Sequence, residues 1–304
     1  MPLRLPLRLP LRLPLRLPLP VRFRWRWAIW CAALLLALWP LLAHGATVIH
    51  YPRPENGPDD QSQYPLRLLD QALRRSGHAY RIELYPVRMQ QARALLRLEN
   101  NEGIDVMTTM TSREREAHLL PIRIPLDKGL WGLRLLLINK SSAGRFGAIR
   151  NVDQLKPLLA GQGSNWPDTA ILRNNGLRVY GAPAGYEVLF RMLENGSIDY
   201  FPRSVTEIWG EHQFHRDALM VEPSLLLRYR TAVYFFVRKA DTRLAADLQA
   251  GLERMLADGS FDKMFQKHFG EQIRQAGLKD RHVIDLVSPM APALPLERKE
   301  LWFY

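Results

Sequence analysis

Ile104-Asp-Val-Met-Thr-Thr-Met-Thr-Ser-Arg-Glu-Arg115 is the stretch on which the reading of this chain turns. Ile104, Val106 and Met107 form a short apolar run of strand character, which gives way to hydroxyls at Thr108, Thr109 and Thr111. Thr111-Ser-Arg-Glu114 then has capping-box spacing, with a hydroxyl at the helix N-cap and a carboxylate three residues on. Arg113 and Arg115 fall in that first turn, where cations oppose the helix dipole. A strand running into hydroxyls, free amides and guanidinium groups suits a carboxylate or another small anion. The same residues also make a capped surface helix with solvated arginines, and spacing does not choose between the two.

Outward from this stretch, strands and helices alternate. Upstream, Thr47–Tyr51 reads as a strand, and a helix follows Pro65 with Leu66, Leu69 and Leu73 on one face. Tyr80–Tyr85 alternates as a strand, and Gln90–Glu99 is amphipathic. This β-α-β-α-β rhythm implies a parallel sheet with crossover helices. Downstream, 121–125 is extended and Leu130–Asn139 is a near-continuous apolar strand, followed by a basic loop over 140–150. A second α/β unit follows, with strands at 158–163, 177–180 and 198–201 and helices at 168–174 and 186–194. Ser204-Val-Thr-Glu207 has capping-box spacing again. Thr231–Arg238 is a further strand, then helices run over 244–257 and from Phe261 to a stop at Gly270. The stripe Phe261, Phe265 and Phe269 is core packing. The last segment, from Asp280, is dotted with prolines and ends Leu301-Trp-Phe-Tyr304, apolar enough to dock back onto the body.

At 304 residues the chain has length for two ordinary domains, and 47% apolar with 24% charged residues is a globular composition. The net charge of +12 misleads, because seven of the basic residues are arginines within 1–46, which hold no acid. The remaining 35 basic and 30 acidic residues describe a mildly basic body without the concentrated basic face of a nucleic-acid binder. Residues 2–17 repeat Pro-Leu-Arg-Leu, either a disordered leader or an over-extended translation start. Arg22, Arg24 and Arg26, the apolar run 28–43 and the small residues through Ala46 then describe a secretory signal, with cleavage after Gly45 or Ala46. An uncleaved membrane anchor is the competing reading, although the run is short for a full span. The one cysteine, Cys31, lies in this leader, so the body is expected to hold no disulfide, zinc cluster or thiol nucleophile.

Four stretches, in order, resemble one family. They are Gly103–Arg115, Gly161-Gln-Gly-Ser164, Leu193-Glu-Asn-Gly-Ser-Ile-Asp-Tyr200 and Met255-Leu-Ala-Asp-Gly-Ser-Phe-Asp-Lys-Met-Phe-Gln-Lys-His-Phe-Gly270. Together they resemble the periplasmic solute-binding proteins of polar-amino-acid ABC transporters (solute-binding family 3), over 47–270. The resemblance implies a type II periplasmic-binding fold: two α/β lobes joined by two crossing strands, with a small solute in the cleft. It implies lobe one at 47–130 and 231–304, lobe two at 131–230, and crossings near Gly129–Gly132 and Arg230–Val233. It gives Arg115, or Arg113 in a register shifted by two, the part of gripping the ligand's carboxylate, with hydroxyls of Thr109 and Thr111 beside it. Ser164 and Asn165 match a turn whose amides meet the same carboxylate. Tyr51 is placed as an apolar platform, and Trp166 along the cleft. In one respect the sequence departs from the family. Ser204 stands where the family has an aspartate for the ligand's ammonium, and Arg203 beside it would repel a cation. Either the ligand carries more negative charge, or Glu55 or Glu207 takes its amine, or Ser204 is simply a helix cap.

These residues imply a solute-binding protein working with an ABC importer permease, or the same fold as an extracytoplasmic sensor acting through a membrane partner. The chain is expected to be a monomer in the periplasm, with no cofactor, no metal and no nucleic-acid partner. Catalysis is not expected, since the sequence has no Gly-x-Ser-x-Gly elbow, phosphate loop or His-Glu-x-x-His. His212 and His215, with Glu211 beside them, have metal-ligand spacing but read as surface residues.

Overall fold

The computed structural model describes residues 45–54, 60–183, 185–290 and 293–304. The Pro-Leu-Arg-Leu repeat, the signal segment through Ala43 and Glu55 lie outside them.

Two sheet systems divide the chain. The first opens with strand β1 (Thr47–Pro54), helix α1 (Asp60–Arg74) and strand β2 (Tyr80–Met89), a β-α-β unit in which β1 and β2 pair in parallel. Helix α2 (Gln91–Glu99) leads to β3 (Val106–Met110), the short helix α3 (Arg113–His118) and β4 (Leu119–Ile122). The second system begins with β5 (Leu133–Asn139), whose first six residues are all buried, as expected of a central strand covered on both faces. Short helix α4 (Ala143–Gly147) lies within what reads as a loop in sequence and α5 (Val152–Leu155) just after it, each too short to show helical periodicity. Then come β6 (Leu159–Gly163), α6 (Pro167–Asn174), β7 (Arg178–Ala182), α7 (Glu187–Glu194), β8 (Tyr200–Ser204) and α8 (Ile208–His215). Two short strands, β9 (Leu219–Val221) and β10 (Leu225–Arg228), close this region. The chain returns to the first system with β11 (Val233–Arg238), α9 (Thr242–Ala257) and α10 (Ser260–Ala276). Helix α10 continues through Gly270 and stops only at Gly277, which takes the left-handed conformation a helix C-terminus favours.

In the first system β11 lies between β3 and β4, antiparallel to both. The larger sheet runs β12-β10-β5-β8-β6-β7, where β12 is His282–Asp285, and β9 also pairs with β5. It is mixed: β6 is parallel to β7 and β8, and β5 is antiparallel to β8, β9 and β10. Strand β12 corrects the assignment of all of 231–304 to one lobe. It lies parallel to β10, and Arg228 holds Asp285 through two hydrogen bonds of 2.6 and 2.8 Å.

Besides the crossing from α10 into β12 at 277–281, the chain passes between the two systems at 123–132 and again at 229–232. The passages touch, since Tyr229 N donates to Gly132 O at 3.0 Å. A Cβ on Gly132 would lie 2.0 Å from Tyr229 O, so only glycine permits this approach. Asp127 is fully buried and holds the first passage by accepting from Gly129 N (3.2 Å) and Trp131 N (2.6 Å). Burial pushes its carboxyl up to about 6, against the pull of those amides.

Candidate functional site

The turn after β3 differs from its sequence reading by one residue. Ser112, rather than Thr111, caps α3, accepting from Arg115 N at 3.1 Å. Thr111 is fully buried and donates to Glu116 Oε1 at 2.5 Å instead. The expected pairing of Thr111 with Glu114 is therefore absent, because β3 and its neighbour carry Thr111 into the core, where its amide bonds Ala232 O at 2.9 Å.

This turn points Arg115 inward. Arg115 is 8% exposed, and its guanidinium donates to Thr109 Oγ1 (2.5 Å), Met110 O (2.8 Å), Gln91 Oε1 (2.6 Å) and Asn165 O (3.5 Å). All four acceptors are neutral. No carboxylate lies within 4.0 Å of Arg115 among the described residues. Burial lowers its pKa to about 10, with Asp168 the chief opposing influence. Arg113 instead faces outward and reaches Pro289 O at 3.4 Å. Tyr51 is buried next to β3, its hydroxyl 2.5 Å from Thr108 Oγ1. A surface cavity of about 410 Å³ opens along α3 between Arg113, Glu116 and Pro289–Met290, and Arg115 does not line it.

Across from Arg115 stands the turn between β6 and α6. Ser164 and Asn165 are exposed, and Asn165 presents its carbonyl to Arg115. The amide of Ser164 is taken by Ala182 O at 2.9 Å, since the parallel pairing of β6 with β7 continues one residue past Gly163. It is thus not free to meet a carboxylate, contrary to expectation. Trp166 folds back over Gly163, where a Cβ would stand 2.5 Å from the indole. The indole stacks near Phe201 (centroids 6.3 Å apart) and lies 5.2 Å from the guanidinium carbon of Arg203.

Behind Trp166 lies a buried charge cluster that the sequence did not announce. Arg134 on β5 and Arg203 on β8 sit on paired strands, one residue out of register. Arg203 donates to Glu211 through two bonds (2.7 and 2.6 Å) and pairs with Glu207 at 2.9 Å. Arg134 binds Asp168 and Tyr229 Oη (2.8 Å) and reaches Glu207 at 3.3 Å; Tyr229 also donates to Asp168. Burial disfavours the charge on both arginines, yet the carboxylates outweigh it and hold both pKa values above the ordinary value. Burial also raises Glu207, and Glu211 pushes it the same way against Arg203. The cluster holds three carboxylates against two guanidiniums. Arg203 is therefore neutralised from within and does not act as the expected repulsive cation. Ser204 is fully buried and closes a local turn: its hydroxyl accepts from Thr206 N (3.2 Å), and its amide donates to Glu207 Oε2 (3.2 Å). Only this second half of the capping box forms, and α8 starts four residues on.

Sequence reading missed Arg134, Asp168, Glu211, Tyr229 and Gln91. The one available signal was Arg134 itself, a lone charge in an apolar strand. Glu211 was weighed only with His212 and His215, which instead bond Leu219 O (3.2 Å) and Glu194 (2.8 Å). Among the described residues no group of three metal-ligating side chains is arranged to hold an ion.

No protein-family model and no curated protein matches the chain. Solved structures do. An ancestral arginine-binding protein bound to arginine is 16% identical, with a TM-score of 0.56, and the match covers 74% of this chain and all of that one. An arginine-specific periplasmic binding protein of Salmonella typhimurium is 14% identical over 74% of this chain and 100% of its own, with a TM-score of 0.57. A periplasmic His/Glu/Gln/Arg/opine-family binding protein from Silicibacter pomeroyi, in complex with lysine, is 14% identical over 73% and 97%, at a TM-score of 0.55. The fold is thus the two-lobed α/β fold of the periplasmic binding proteins, one lobe built on β3-β11-β4 with β1-β2 and the other on the larger sheet.

Proposed function

We propose that this chain is an exported solute-binding protein that captures a small, amino-acid-like solute between its lobes for an ABC importer. The observation that carries this reading is Arg115, a buried guanidinium whose protein partners are all neutral. Such a cation favours an anionic partner that the chain does not supply, and a carboxylate fits its fork geometry. Thr109 lies beside it, and Asn165, Ser164 and Trp166 line the opposite lobe. The excess carboxylate in the lobe-two cluster supports a cationic group on the same ligand, with Asp168 as its acceptor in place of the family's aspartate at 204. In this reading Arg203, Ser204 and Thr111 shape the wall, and Tyr51 backs β3. The arginine and lysine held by the neighbouring structures agree with a zwitterionic ligand. Export rests on the basic and apolar leader, and no helix among the described residues is long and apolar enough to cross a membrane. The chain binds its solute and does not transform it.

Native mass spectrometry of the purified protein, followed by a thermal-shift screen of amino acids and dicarboxylates, tests this. A co-purifying or strongly stabilising amino acid is expected. A protein that carries nothing and is stabilised by no member of either set overturns the reading.

A further inference from the structure

The last segment, 282–304, lies beyond the stretch that resembles solute-binding proteins in sequence, and it touches both lobes and both passages between them. Its first anchor is in lobe two, where β12 extends the sheet, Leu286 N donates to Arg228 O (2.8 Å), and Asn175 exchanges two hydrogen bonds with Val287 (2.9 and 3.0 Å). The next contacts are in lobe one. Arg123 reaches Ala293 O at 3.1 Å, and Arg298 grips Glu253 of α9 through bonds of 2.6 and 2.9 Å. The end of the sequence then packs on the passages themselves. Phe303 N donates to Lys128 O (2.9 Å), and Lys128 Nζ donates to Glu300 O (2.8 Å). Trp302 lies so close to Gly129 that a Cβ there would stand 2.7 Å from its ring. On the second passage, Tyr304 Oη donates to Tyr229 O (3.4 Å), Arg230 donates to Tyr304 O (3.0 Å), and the Arg230 guanidinium lies 4.6 Å from the Tyr304 ring.

Lobe opening requires backbone rotation in these two passages and in the crossing at 277–281, and separation of the elements on either side. Residues 298–304 are wedged against the rotating bonds of both passages, and 282–287 are bonded into the opposite lobe. Opening therefore pulls on one anchor or the other. We propose that segment 282–304 is a built-in strap that restrains the hinge and so sets how far the lobes open, and with that the affinity of the interlobe site.

The proposal deepens the solute-binding reading and is tested so that the two can fail separately. Spin labels are placed at exposed positions in each lobe, Glu102→Cys and Gln213→Cys, in a full-length chain carrying Cys31→Ser, and the interlobe distance is measured without ligand. Truncation after Leu286, and separately the pair Trp302→Ala and Arg298→Ala, should lengthen the mean distance and broaden its distribution. Lys299→Ala, an exposed residue of the same segment, should leave both unchanged. L-arginine, L-lysine and L-glutamine are then titrated, and any that binds the parent should bind the strap variants about tenfold more weakly, because the closed state is less populated. Variants that stay folded by circular dichroism with an unaltered distance distribution overturn the strap, whatever the ligand result. If the truncated chain fails to fold, the point variants decide. Altered distances with none of the three amino acids bound would keep the strap and count against the solute assignment.

Discussion

Arg115, in the short helix after β3, and Arg203, near the end of β8, are both buried arginines, one in each lobe, and their company is opposite. Arg203 has two carboxylates within 2.9 Å, while Arg115 has a hydroxyl, two backbone carbonyls and a side-chain amide. The electrostatic consequence follows directly: the carboxylates hold the pKa of Arg203 above its ordinary value, whereas burial brings Arg115 down to about 10. A cation paired in the folded chain belongs to the architecture. One left with neutral acceptors is, in the proposed reading, positioned for a charge from outside. Reading Arg203 as a charge that repels a cation left out its two carboxylates, which only the fold brings to it.

The largest effect that would break this contrast is on stability. Arg203→Met leaves Glu211 buried without a cation and Glu207 with Arg134 alone, and should cost about 3–5 kcal/mol in urea unfolding. Arg115→Met should cost much less, because no buried carboxylate is orphaned. Equal losses would erase the distinction. The second effect is on binding: Arg115→Met should weaken whichever amino acid stabilises the parent about ten- to hundredfold, since a charge-assisted pair is lost. Unchanged affinity would remove Arg115 from the site.

A third test concerns the passage between the lobes. The folded value of Asp127, about 6, lies above its ordinary 3.8, so the folded chain holds that proton more tightly than the unfolded one. The stabilisation is complete below about pH 4 and is lost as pH rises through about 6. Between pH 7 and pH 5 this group alone should add about 1 kcal/mol of stability. Asp127→Asn should remove that increment while its single carbonyl oxygen keeps one of the two amide bonds, and an unaltered pH slope would show that Asp127 does not titrate in this range. The smallest effect belongs to Ser204. Ser204→Ala should cost about 0.5–1 kcal/mol through the lost turn bond and leave ligand affinity alone. A large loss of affinity would instead restore Ser204 as a ligand contact.

The fold was largely legible. The β-α-β rhythm of 47–85 and the apolar runs that became β5 and β11 carry their periodicity on the surface of the sequence. Elements of three or four residues, such as β9, β10 and β12, were not, because they are too short to show a period and depend on a neighbour's edge for hydrogen bonds. Cap positions were legible to within a residue at Ser112, where two adjacent hydroxyls competed and burial of Thr111 decided. The end of α10 was misplaced because Gly270 is tolerated within a helix, whereas Gly277 adopts the left-handed turn that ends one.

By itself the sequence determined the order of the longer strands and helices, the residue types at each turn and the candidacy of Arg115, since these follow from local periodicity and short spacing. Only the tertiary structure decided which charges cancel. Arg134, Asp168, Arg203, Glu207, Glu211 and Tyr229 come from several elements of one lobe, and bringing them together needs β5 paired with β8 and α6 and α8 laid against them. It also decided that 282–304 binds both lobes, because an edge strand and an aromatic end acquire meaning only from the surfaces they meet.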